Sequence, residues 1–171
     1  MIRCTVALLL LLCLANIVQA EERTFSRFSV DLSEGWDGEE TTNFLNGNTE
    51  GYMLVLGKKD DEGENFLAQV SVFLLPALPG TAEAVARQMA SMQDNASTPQ
   101  KDGNFWTFSG EPHTEAFKAT AVTKVAATAK NILVIISQDP HGLGADAIVA
   151  SLRGITPEAK EALSGNRQQK D

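Results

Sequence analysis

Cysteine is scarce in this chain, whose 171 residues contain only Cys4 and Cys13. Both lie in the first twenty residues, a segment that the pattern described next predicts to be removed. A mature chain without cysteine has no disulfide bond, no cysteine-ligated metal and no cysteine nucleophile. We therefore expect a domain large enough to fold on an ordinary hydrophobic core.

Long apolar runs are also lacking, apart from one near the start. Val6–Val18 follows the positive charge of Arg3, and it is shorter than the about 20 residues that a membrane-spanning helix needs. Val18-Gln19-Ala20 then offers small or compact residues to a signal peptidase, with two glutamates after them. Residues 1–20 are therefore predicted to be a signal peptide cleaved after Ala20, which places the mature chain in the periplasm or outside the cell.

Basic residues are outnumbered, with 14 Lys and Arg against 22 Asp and Glu and a net charge of −8. Loss of Arg3 with the signal peptide makes the mature chain more acidic still. This balance argues against nucleic acid and anionic lipid as partners, because both attract Lys and Arg. Without a second long apolar run, stable membrane insertion is not expected. The length predicts a single domain over residues 21–164, followed by a frayed tail over residues 165–171.

The apolar pattern of the mature chain alternates between strand and helix periods. Apolar residues predict strands over Phe28–Leu32, Tyr52–Leu56, Phe66–Leu74, Asn104–Ser109, Glu115–Ala127 and Ile132–Ile136, with a weaker candidate over Thr42–Leu45. Helical spacing predicts helices over Ala82–Gln93, over Ala145–Ile155 with Gly154 as the stop, and a short one opened by Thr156-Pro157-Glu158. The order β-β-β-α-β-β-β-α, with short links, predicts an α+β sandwich in which an antiparallel sheet of about six strands packs with helices.

This order resembles the PsbP/Mog-type family, including its DcrB-like branch. The resemblance begins at Phe28–Leu32 and the following Ser33-Glu34-Gly35-Trp36, although Ser33 and Glu34 stand where the family has a proline. It continues through the helix led by Thr81, the strand with Phe105-Trp106 and the closing helix, and it covers about Phe25–Ile155. The resemblance implies an antiparallel sheet between helices and an accessory or adaptor protein bound to larger partners. It also implies that the chain is not an enzyme.

Two histidines in turns suggest one alternative, a divalent-metal or small-ligand site. His113 follows Glu111, and His141 follows Asp139, in two turns that an antiparallel meander can bring to the same end of the sheet. Two imidazoles and two carboxylates are a plausible ligand set for zinc. The opposing interpretation is a pair of solvated turn histidines. No cofactor is predicted.

Trp36 and Trp106 are the candidate partner-binding residues, because exposed tryptophans dominate interface energetics. The alternative is that both serve as core anchors. The sequence contains no Gly-x-Ser-x-Gly motif, which leaves a hydrolase the weakest hypothesis. The favoured function is therefore a secreted, non-catalytic accessory or interaction module that docks an envelope or exported protein. The alternative is a periplasmic protein that binds a small ligand or a divalent metal.

Overall fold

The computed structural model describes residues 20–42, 51–77, 79–113 and 119–164. The strands in these ranges are β1 (Glu21–Thr24), β2 (Phe28–Leu32), β3 (Trp36–Thr42), β4 (Tyr52–Lys59), β5 (Phe66–Pro76), β6 (Gln93–Asp94), β7 (Gln100–Asp102), β8 (Phe105–Pro112), β9 (Ala121–Ala127), β10 (Asn131–Gln138) and β11 (Arg153–Gly154). The helices are α1 (Ala82–Ala90), α2 (Ala145–Ser151) and α3 (Pro157–Ser164).

The larger sheet has eight strands in the order β3-β4-β5-β10-β9-β8, with β6 and β7 both pairing with the outer edge of β8. Every pairing is antiparallel. A smaller sheet has the order β1-β2-β11. The central strand β10 is apolar on both faces because both faces of that part of the larger sheet are covered.

The larger of two hydrophobic cores fills the space between the two sheets, where α2 and α3 also pack. Its fully buried members are apolar side chains from both sheets, α2 and α3, including Phe28, Val30, Leu54, Leu56, Val72, Leu133 and Ile148. The smaller core lies on the opposite face of the larger sheet, beneath α1, and includes Ala86, Phe108, Val125 and Val134. Helix α1 begins where the Thr81 hydroxyl accepts the Ala84 N–H at 3.2 Å.

These observations confirm the predicted α+β class, and they correct the number and assignment of strands. The predicted Phe28–Leu32 strand has its predicted bounds, but it lies in the smaller sheet. The helix expected over Ala145–Ile155 ends at Ser151. Gly154 is not a helix stop, because it lies in β11 and pairs there with Phe28 of β2. The strand expected from Glu115 is described only from Ala121, since residues 114–118 lie outside the described ranges.

Several other predictions fall on residues that the structure does not describe. These are the signal peptide except for Ala20, most of the weak strand over Thr42–Leu45 and the tail over residues 165–171. Among the described residues, no helix is long and apolar enough to cross a membrane.

Candidate functional site

The larger sheet leaves part of one face open at β3 and β4. In β4, Leu54 and Leu56 are fully buried toward the smaller sheet, while Met53 and Val55 point the other way and are only half-buried. Helix α1 packs on β8 and β9, at the far side of this face. Met53 and Val55 accordingly belong to neither core among the residues described. We call the surface formed by Asp37, Glu39, Thr41, Met53 and Val55 the open face.

Strand β3 forms one edge of the larger sheet, and among the described residues it pairs only with β4. The N–H of Trp36 donates to the Ser33 carbonyl at 3.1 Å, and the N–H of Gly38 donates to Asp37 Oδ1 at 2.7 Å. Neither N–H group therefore forms a hydrogen bond with β4. Because alternate residues of an antiparallel strand bond to the same neighbour, Gly38, Glu40 and Thr42 direct their backbone groups outward.

A shallow cleft of about 270 Å³ lies beside this edge, lined in part by Asp37, Glu39, Val55, Lys59 and Phe66. The Phe66 ring lies over Gly57, where an added Cβ would meet ring carbons at 2.2 and 2.5 Å. The Lys59 ammonium sits 5.4 Å from the centre of that ring. The cleft is therefore lined by an aromatic ring, a cation and two carboxylates.

Asp37, near the start of β3, is tied down by its neighbours. Its carboxylate accepts the Gly38 N–H and forms an ion pair with Arg23. The Gly38 hydrogen bond, followed by the Arg23 guanidinium, holds the pKa of Asp37 below its usual range. Asp37 is therefore ionised at neutral pH, and Arg23 balances its charge.

Glu40 fastens β3 to the turn between β1 and β2. Its Oε2 accepts the Ser26 N–H at 2.8 Å, the Ser26 hydroxyl at 2.9 Å and the Tyr52 hydroxyl at 3.0 Å. Burial opposes ionisation of Glu40, but these hydrogen bonds outweigh it and leave its pKa lowered. Burial, and then the hydrogen bond to Glu40, raises the pKa of Tyr52. Glu40, Ser26 and Tyr52 therefore form a structural hydrogen-bond cluster, in which the Glu40 carboxylate is charged at neutral pH.

The predicted metal residues lie at one end of the larger sheet, as the meander required. Gly110 of β8 and Gln138 of β10 both pair with Ala121, so β9 separates the turns that follow β8 and β10. Strands two places apart are roughly 10 Å apart. His113 and Glu111 thus follow one strand, while Asp139 and His141 follow another.

Each of these residues has a local environment of its own. His113 Nδ1 lies 3.4 Å from Asp94 on the surface. The Asp139 carboxylate accepts the N–H groups of Leu143, Gly144 and Ala145 at 2.7 to 3.0 Å, which caps α2. Within the described ranges, no three His, Cys, Asp or Glu side chains are grouped so as to hold a metal ion. The metal site stays a prediction.

The two tryptophans have different surroundings. Trp36 is 6% exposed, and its indole N–H donates to the Leu143 carbonyl at 3.1 Å, joining β3 to the turn before α2. Trp106 is half-buried and packs beside the core under α1. On the neighbouring strand β9, the Lys124 ammonium lies 6.0 Å from the centre of the Phe105 ring. A partner-binding role for either tryptophan stays a prediction.

Sequence reasoning missed the open face, because β3 reads Trp-Asp-Gly-Glu-Glu-Thr-Thr and has no apolar alternation. The available signal was indirect: β4 is apolar on both faces, which indicates that something should cover each face, yet Met53 and Val55 are only half-buried. The acidic strand β3 pairs with the edge of β4 and does not cover this face.

Comparison with known proteins yields no matching family model, and no curated protein matches. A solved structure, the solution structure of the cyanobacterial PsbP protein (CyanoP) from Synechocystis sp. PCC 6803, is similar over 82% of this chain and 95% of that chain, with a TM-score of 0.47 and 10% identity. The neighbour is a PsbP protein, and it does not distinguish the Mog-type or DcrB-like branch. A likeness this distant extends no inference to function.

Proposed function

We propose that this chain is an exported, non-catalytic accessory protein that docks another envelope or exported protein. The observation that carries the proposal is the outer edge of β3, which pairs with no other strand among the described residues, with the open face beside it. Strand edges that present free N–H and C=O groups are templates for another chain. Half-buried apolar side chains next to such an edge, here Met53 and Val55, add area for a partner to cover.

The chemistry on the rest of the described surface also favours binding over catalysis. The carboxylates with lowered pKa values, such as Asp37, Glu40 and Asp139, are each engaged by backbone or side-chain donors that hold the fold together. A catalytic acid or base near neutral pH needs its pKa moved toward 7 instead. Export is supported by the apolar segment that precedes Ala20. The accessory role is what the resemblance of residues 25–155 implies.

Site-specific photo-crosslinking in the native host tests this proposal. A photoreactive amino acid replaces Thr41, an exposed residue of the open face. The matched control carries it at Lys160, which is exposed on α3 at the opposite side of the larger sheet. We expect a defined protein adduct from position 41 and none from position 160. No adduct from position 41, or the same adducts from both positions, would contradict docking at this face.

A further inference from the structure

We propose that the part of the partner that binds is an extended, basic segment, which adds to the larger sheet as a new strand along Gly38–Thr42. This inference rests on the proposed docking function and specifies its chemistry. The proposed occupant is a strand whose charge is opposite to that of β3, and not a second copy of this chain.

The backbone of β3 supplies the pairing groups. The outward residues Gly38, Glu40 and Thr42 present carbonyls and N–H groups at the two-residue interval that a neighbouring strand requires. Residues 39–42 are exposed, so an incoming strand reaches them without displacing a described element. The Gly38 N–H already bonds to Asp37, which limits pairing at that end to the Gly38 carbonyl.

The charges on β3 determine which strand fits. Its seven residues include three acids and no base. Asp37 is balanced by Arg23, whereas no ion pair or hydrogen bond engages the Glu39 carboxylate among the described residues. Glu39 projects onto the open face, and Glu40 projects onto the other face. Because neighbouring residues of a strand also alternate, two consecutive Lys or Arg residues place one cation beside each glutamate.

The cleft limits where those cations can lie. Lys59 occupies the cleft end near Phe66, and Asp37 already has its cation in Arg23. The residue that enters beside Asp37 is therefore expected to be uncharged. The basic pair belongs opposite Glu39 and Glu40, and an aliphatic side chain belongs toward Val55 and the Phe66 ring.

Self-pairing is disfavoured by the same side chains. Two β3 strands placed edge to edge would bring Glu39 and Glu40 of one copy against the same acids of the other. Like charges directly opposite one another destabilise a strand pair. Charged residues on an edge strand are a known means of preventing such association. The acids therefore prevent self-association and select a basic partner.

The test is a magnetic-resonance titration of the isotope-labelled protein from the exported fraction. The probe is a short capped peptide of alternating Thr and Val with a central Lys-Arg pair, and a Glu-Glu version is the control. We expect the basic peptide to shift the Glu40 and Thr42 amide signals and to slow their hydrogen exchange. Glu39→Lys should weaken binding about tenfold, because an attractive pair becomes repulsive. Glu62→Lys, the same charge change at the exposed β4–β5 loop, should weaken it less than about twofold.

Several results would overturn strand addition. These are unchanged amide signals at residues 40 and 42, equal binding of the acidic peptide, or equal losses in both variants. Slowed exchange at β3 on raising the protein concentration without peptide would identify a second copy as the occupant. Adducts from position 41 without peptide binding would reject this inference and leave the docking function standing. The absence of both the adducts and peptide binding would reject the docking function and strand addition together.

Discussion

Replacement of Gly154 by alanine tests the contact between β11 and α3, which closes the larger core. A Cβ at Gly154 would lie 2.4 Å from the Ala159 carbonyl carbon and 2.4 Å from the Lys160 nitrogen, both backbone atoms of α3. Ordinary contact begins at 3.4 Å, so the helix must move by about 1 Å. Ala159 and Ala162 of α3 are fully buried, and that movement would open the core beneath them.

The expected cost is about 3 kcal/mol, the upper part of the range for overpacking. For a domain of this size that corresponds to a fall in Tm of roughly 6–12 °C. The assay is urea and thermal unfolding followed by tryptophan fluorescence and circular dichroism. Gly103→Ala is the control: nothing lies within 4 Å of its added Cβ, and its φ of +58° alone should cost about 1 kcal/mol.

The sign of the change makes this test decisive. Gly154 does not have the positive φ that penalises alanine. Without the clash, Gly154→Ala would stabilise the protein by about 0.4–1 kcal/mol through the unfolded chain. A variant as stable as the wild type, or more stable, would refute the described packing of α3 on β11.

Three further predictions concern the hydrogen-bonded carboxylates and the histidines. Tyr52→Phe removes one of three hydrogen bonds to Glu40. It should lower the free energy of unfolding in urea by about 1 kcal/mol, with an unchanged m-value. An unchanged free energy of unfolding would contradict a stabilising role for this hydrogen bond. Burial opposes ionisation of Asp139, but the backbone N–H groups of the α2 cap outweigh it and lower its pKa. The stabilisation from Asp139 is therefore present above about pH 4, its unfolded value, and is lost as the pH falls through the folded pKa. Asp139→Asn should accordingly be less stable than the wild type by about 1–2 kcal/mol at pH 7, and the gap should narrow below pH 4; a gap independent of pH would contradict this. If His113 and His141 form a metal site with Glu111 and Asp139, zinc should raise the Tm of the wild type and His113→Ala should abolish the rise, whereas an unchanged wild-type Tm would contradict the site.

Much of the sheet could be predicted because its strands carry their burial pattern locally. Alternation predicted β2 and β5, and the apolar run Ile132–Ile136 predicted β10. Strands β1 and β11 could not be found in this way, since Glu-Glu-Arg-Thr and Arg-Gly acquire strand structure only by pairing with β2. The helical stripe continued to Ile155 in the sequence, but pairing of Arg153 and Gly154 with β2 ended α2 at Ser151.

The candidate site was less accessible to sequence reasoning than the fold. An acidic segment such as residues 36–42 has the composition of a loop, and no feature of its local sequence indicates that it pairs with an apolar strand. The histidine turns were placed correctly at one end of the sheet, but the role of Asp139 as the cap of α2 depends on three backbone N–H groups that composition does not reveal. Long-range strand pairing and helix capping therefore determine features of the candidate site that the sequence pattern does not predict.

Hydrogen–deuterium exchange on the complex with the crosslinked partner is the most direct test of docking at the edge of β3. The free protein and the purified complex are compared peptide by peptide. We predict that protection in the complex is concentrated in residues 36–42 of β3 and extends to β4, while α1 and α3 exchange as in the free protein. Protection confined to α1 or α3, with β3 unchanged, would contradict the account.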